Sequence, residues 1–138
     1  MLPGIVLVTH ALIAIGFAIP LLLAPSDLLE LYGADPGPTA IYLARLFGAA
    51  LLAFATICWL ARELPEGDAL DSICAGFALS STVALVVALH HQLTSETANA
   101  FGWSTVAICL GLSVAYAMLV IGRAARRGAP PPTRAAAG

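Results

Sequence analysis

Apolar residues fill four long stretches of the chain, and the short segments between them hold most of its charges. The stretches cover about residues 3–24, 39–60, 70–92 and 99–122, each near the ~20 residues that a helix needs to cross a bilayer. The pattern predicts an all-α integral membrane fold with four transmembrane helices. Short connections make sequential helices antiparallel neighbours, so an up-down-up-down bundle is expected. Pro20 is expected to bend the first helix and Pro25 to end it.

Residues 26–33, Ser-Asp-Leu-Leu-Glu-Leu-Tyr-Gly, read as a short interfacial helix after helix one. Ser26 is placed to cap it, Asp27 and Glu30 suit the positive end of its dipole, and Gly33 stops it. Tyr32 would sit at headgroup level. Residues 34–38 are turn chemistry, 61–68 form a charged loop and 93–98 a brief polar one. The chain therefore divides into a four-helix transmembrane domain, residues 1–123, and a cytoplasmic disordered tail, residues 124–138, rich in proline and alanine beyond its arginines.

Composition sharpens this. The chain is 60% hydrophobic and only 10% charged, with a mean hydropathy of +0.94, far from the balance of a soluble domain. A net charge of −2 with no basic groove argues against nucleic acid as a partner. No basic segment precedes the first apolar stretch, which is kept as a helix rather than a cleaved signal peptide. All six basic residues are arginine and alanine is abundant, the mark of a GC-rich bacterial genome. Arg62 falls in the middle loop and Arg123, Arg126, Arg127 and Arg134 follow helix four, while the first and third loops carry no arginine. The positive-inside rule then places both termini on the cytoplasmic side of the bacterial inner membrane, with Asp27, Glu30, Asp35 and Glu96 outside.

Small residues recur every four positions in helix three (Gly76, Ser80, Ala84, Ala88) and helix four (Ala107, Gly111, Ala115), a spacing that lets membrane helices approach closely. Arg45 lies one to two turns inside helix two, where an unpaired charge is unfavourable by about 2.5 kcal/mol or more at the bilayer centre and by less near an end. Its spacing to Gly48, Ala49 and Ala53 turns it toward protein. Three readings follow for Arg45: snorkelling to the surface or pairing with Glu30 or Asp35, contacting a polar ligand at the bundle mouth, or a role in assembly with another chain.

His91, Gln92, Glu96, Asn99 and Trp103 gather at the same outer level as Arg45, and these six residues form the candidate ligand-binding set. His90 and His91 point about 100° apart on a helix, and spacing to Ala84 and Ala88 favours His91 as the inward one. No cofactor is expected. A haem or metal would need ligands at matching depth, and His10 stands roughly 15–20 Å along the helix axis from the His90–His91 pair. His10 is read as a satisfied helix histidine, with a proton relay as the less favoured role. Cys58, Cys74 and Cys109 lie inside apolar stretches without metal or redox spacing and read as small buried hydrophobes. No nucleophile elbow, phosphate loop, HExxH or paired-acid motif appears, so no catalytic residue is assigned.

The segments Leu31-Tyr-Gly, Leu43-Ala-Arg and Gly102-Trp-Ser-Thr carry a likeness. With them the chain resembles a group of small uncharacterised bacterial four-helix integral membrane proteins over most of residues 5–120. The resemblance implies the topology but no activity. Three functions remain open: self-association or a membrane partner engaged through the small-residue ridges; binding or transport of a small lipophilic or amphipathic molecule in an outward-facing polar pocket; and, least favoured because the sequence offers no cofactor or nucleophile for it, a membrane-embedded enzyme using a histidine near the outer surface. Lipid bilayer, another copy and another membrane protein are the expected partners.

Overall fold

A computed structural model describes residues 2–128 of the chain. It contains α1 (Leu2–Leu23), α2 (Pro25–Leu31), α3 (Pro38–Ala61), α4 (Asp68–Thr94) and α5 (Ala100–Gly128). The four long helices are long and apolar enough to cross a membrane, which suggests a multi-pass membrane protein.

One core cluster joins Leu7 and Ala11 near the start of α1, Cys58 and Ala61 at the end of α3, Leu70 and Cys74 at the start of α4, and Tyr116 and Leu119 late in α5. Helix starts and ends therefore alternate at one end of the molecule, and the long helices run up-down-up-down. We call this end the base and the other the distal end.

Within the bundle, α1 packs chiefly on α3 and α4 on α5, giving two hairpins with few contacts between them. The first is close because Gly48 lets α3 approach: a Cβ there would lie 3.0 Å from both Leu21 and Leu22 and 3.2 Å from the Ala18 carbonyl. The second is tied at the base by ion pairs, Arg123 and Arg127 with Asp71, and Arg127 with Asp68 at 2.8 Å. The acids stand in the first turn of α4 and Arg127 in the last turn of α5, where each also suits its helix dipole.

At the distal end α2 and its turn reach across the hairpins. Gly33 adopts φ 77°, the left-handed conformation that ends a helix without a Cβ penalty, and a Cβ there would meet the Thr97 carbonyl at 3.0 Å. Asn99 Oδ1 accepts from the Gly102 amide at 2.9 Å and so caps α5, while its Nδ2 donates to the Leu31 carbonyl at 3.0 Å.

Three local expectations change. Pro25, not Ser26, opens α2: Ala24 is the cap residue, no side chain bonds the first turn, and proline at the first position has no amide to satisfy. The last helix runs past Gly122 to Gly128, so residues 124–128 are helical rather than tail, held by the arginine pairs to α4. Residues 129–138 lie outside the described part. Arg45 is exposed on α3 and does not face the bundle. The buried face of α3 is Ala44, Gly48, Ala55 and Cys58, and a one-residue step turns Arg45 about 100° away from it. Neither Glu30 nor Asp35 pairs with it among the described residues.

The ridge glycines make no close helix contact: a Cβ on Gly76 or on Gly111 would meet nothing within 4 Å. Gly48→Val is therefore expected to destabilise the protein by about 1–3 kcal/mol through overpacking. Gly76→Ala and Gly111→Ala should be neutral or mildly stabilising, by up to ~1 kcal/mol of helix propensity. Thermal unfolding of the three variants in one detergent checks this ordering.

Candidate functional site

Because the hairpins meet at the base and again at the α2 turn, the space between them stays open over the middle and distal part of the bundle. It has two joined parts, a chamber of about 200 Å³ and a wider groove of about 680 Å³. Tyr32, Phe47, Ser80, Ala84, Thr105 and Cys109 border both, so the two are continuous.

Each helix supplies one wall. From α1 come His10, Ile13, Ala14 and Phe17, and from α3 Phe47, Leu51 and Phe54. On α4 the positions Ser80, Ala84, Ala88 and His91 recur at helical spacing along one face of the groove, and on α5 Gly102, Thr105 and Cys109 do the same. Phe47 and the α4 residues Val83 and Val87 are more than half exposed, so the groove opens sideways between α3 and α4. No Asp, Glu or Arg borders either part. The surface is apolar with a few neutral polar groups, the usual make-up of a small-molecule site.

The chamber ends at a buried polar junction. His10 Nδ1 lies 2.9 Å from the Tyr116 hydroxyl, and Cys58 Sγ is 3.9 Å from that same hydroxyl. Phe77 meets the imidazole edge-on with ring centroids 4.8 Å apart. Tyr116 is fully buried, and His10 is 8% exposed. His10 borders the chamber. At the opposite rim, the Tyr32 hydroxyl bonds Thr105 Oγ1 at 2.6 Å and its ring packs edge-on against Phe101 at 4.8 Å. Burial pushes the Tyr32 phenol above its ordinary range, so it stays a neutral hydrogen-bonding group.

The structure separates the residues that the sequence groups together. His91 and Gln92 border the groove. Gln92 is turned to structural use: its Nε2 donates to the Asn99 carbonyl at 2.8 Å, clasping the α4–α5 connection. Asn99 serves as the α5 cap and the tie to α2. Glu96, Trp103 and Arg45 are exposed and border neither part. No group of three metal-ligating side chains occurs among the described residues.

Sequence reasoning passed over Tyr116, Ser81 and the aromatic wall, and it set His10 aside. Matched depth was the available signal: His10 lies eight residues into α1 from the base, and Tyr116 seven residues before Arg123, so the two polar side chains share a level. Comparison with protein-family models, curated proteins and solved structures finds no match, so the site is argued from its own geometry.

Tyr116→Phe removes the only hydrogen-bond partner of His10 among the described residues. Leaving that buried nitrogen unpaired is expected to lower stability by about 1–3 kcal/mol. Chemical or thermal unfolding of the variant in detergent measures it, and a change well under 1 kcal/mol would mean that the bond does not hold the hairpins together.

Proposed function

We propose that this chain is an integral protein of the bacterial cytoplasmic membrane that binds or transports a small, neutral lipophilic or amphipathic molecule in the space between its two hairpins. The observation that carries this reading is the apolar cavity formed by the adjoining chamber and groove, open sideways between α3 and α4 and bordered by no Asp, Glu or Arg. A molecule dissolved in the bilayer would enter laterally and leave its apolar part in the groove. A charged solute would meet no counter-charge there and would lose its hydration.

The orientation follows the arginines. Arg62, Arg123, Arg126 and Arg127 all stand at the base, and the distal connections carry Asp27, Glu30, Asp35 and Glu96. By the positive-inside rule the base and both termini are cytoplasmic and the cavity opens toward the outer leaflet. Arg45, about two turns from the distal end of α3 and exposed, would snorkel toward the outer headgroups and contact lipid phosphate.

Ala84 borders both parts of the cavity and is exposed to it. Ala84→Phe should fill the space without disturbing the base. With the protein in nanodiscs, the fluorescence of a lipophilic dye such as Nile red should report saturable binding, weakened at least tenfold by Ala84→Phe at unchanged melting temperature. Equal saturable binding by both proteins would defeat the reading.

A second reading, self-association or engagement of another membrane protein, is favoured by the uncovered ridges around Gly76 and Gly111. Gly111→Leu separates the two, because Gly111 borders neither part of the cavity. It would split an oligomer in the second reading and leave dye binding intact in the first.

A further inference from the structure

We propose that His10 and Ser81 form the polar floor of this cavity and bind a carbonyl oxygen on a flat-ringed lipophile of the quinone class. The inference rests on the reading of the cavity as a ligand site and names its ligand. It starts from two side chains that are more than nine-tenths buried, His10 at 8% and Ser81 at 5% exposure, and that both border the chamber.

Each has a polar atom without a protein partner. His10 uses Nδ1 on Tyr116, and no hydrogen bond to its Nε2 occurs among the described residues. Ser81 Oγ likewise has none, unlike Thr82 beside it, which bonds both the Ala78 carbonyl and Ser113. Among fully enclosed side-chain atoms of the described residues, only Arg123 Nη2 lacks a partner. His10 Nε2 and Ser81 Oγ are thus not fully enclosed, and both residues border the chamber. Unpaired hydrogen-bonding groups at an apolar cavity are unfavourable, and a ligand acceptor in the chamber would satisfy them.

The chemistry of that atom follows from the junction beneath. Tyr116 is a better donor than acceptor, so its hydroxyl donates to Nδ1, and Cys58 at 3.9 Å is positioned to donate its thiol proton to the phenol oxygen. The partner of one imidazole nitrogen sets the tautomer of the other. Nε2 then carries the proton and points a donor at the chamber, and Ser81 adds a second hydroxyl donor. Two donors and no cation select a neutral acceptor, a carbonyl oxygen. Phe17, Phe47 and Phe54 line the same chamber and offer ring faces and edges to a planar group, and the groove beyond takes an apolar tail. An ester carbonyl of an acyl lipid shares the acceptor but not the ring, so the aromatic wall favours the quinone.

The test uses the full chain in nanodiscs with decylubiquinone as the probe. Competition against Nile red and the infrared carbonyl stretch of bound quinone are read together. Wild type should bind decylubiquinone at least tenfold more tightly than decyldimethoxybenzene, which has the ring and tail without carbonyls, and than methyl decanoate, which has a carbonyl without a ring. The carbonyl stretch should fall on binding. His10→Phe and Ser81→Ala should each weaken binding about tenfold, the loss of one hydrogen bond of about 1.4 kcal/mol, and abolish the fall in frequency. His10→Gln, which keeps an N–H donor, should restore part of both. Should His10→Phe not fold, Ser81→Ala and the wild-type spectrum decide alone. Equal binding of the three compounds, or an unshifted carbonyl, overturns the quinone assignment while the cavity stands. Tighter binding of methyl decanoate assigns the floor to an acyl ester instead. Displacement of dye by none of the three, with no saturable dye binding at all, defeats the ligand site itself.

Discussion

The hydrogen bond between His10 and Tyr116 is a buried polar tie between the two hairpins of this chain. It joins α1 of one hairpin to α5 of the other at the level where all four long helices converge. Helices surrounded by lipid gain little from burying apolar side chains against each other, since the lipid is equally apolar. Packing shape and polar contacts decide which faces meet. The hairpins themselves are held by shape, with Gly48 of α3 seated against Ala18, Leu21 and Leu22 of α1. Between the hairpins, the shared apolar core at the base encloses this polar pair, with Phe77 packed on both of its rings.

A bundle pinned at its base and clasped at its distal end by α2 leaves a space between. Small residues on α4 and α5 and aromatic rings on α1 and α3 line that space. Apolar walls, a lateral opening and the absence of Asp, Glu or Arg from the borders are the features on which the proposed bilayer-borne ligand rests. In the proposed binding mode the base also shapes recognition, because Tyr116 occupies Nδ1 of His10 and leaves Nε2 for a ligand. That mode would link stability and binding through one side chain.

Much of the fold was legible in the sequence because long apolar stretches admit few alternatives in length or direction. The four long helices, the short helix before Gly33 and the turn after it follow from local chemistry. The site was less legible, for a physical reason. Charge drew attention to Arg45, yet which way a residue faces on an apolar helix depends on partner packing, and Ala44 and Gly48 claim the inward side. His91 was placed on the face that borders the groove, but Gln92 and Asn99 are absorbed by the α4–α5 connection and Glu96 and Trp103 stay outside. His10 and Tyr116 are 106 positions apart, and nothing local in either segment announces the other. Their shared depth was the one available clue.

Native mass spectrometry of the full-length protein, released gently from its own host's membranes and followed by lipid extraction, tests the central claim most directly. The account predicts one tightly held neutral lipophile per chain, retained after bulk lipid has been stripped. A chain that sheds every adduct together with bulk lipid, whether as a monomer or as an oligomer, would contradict it.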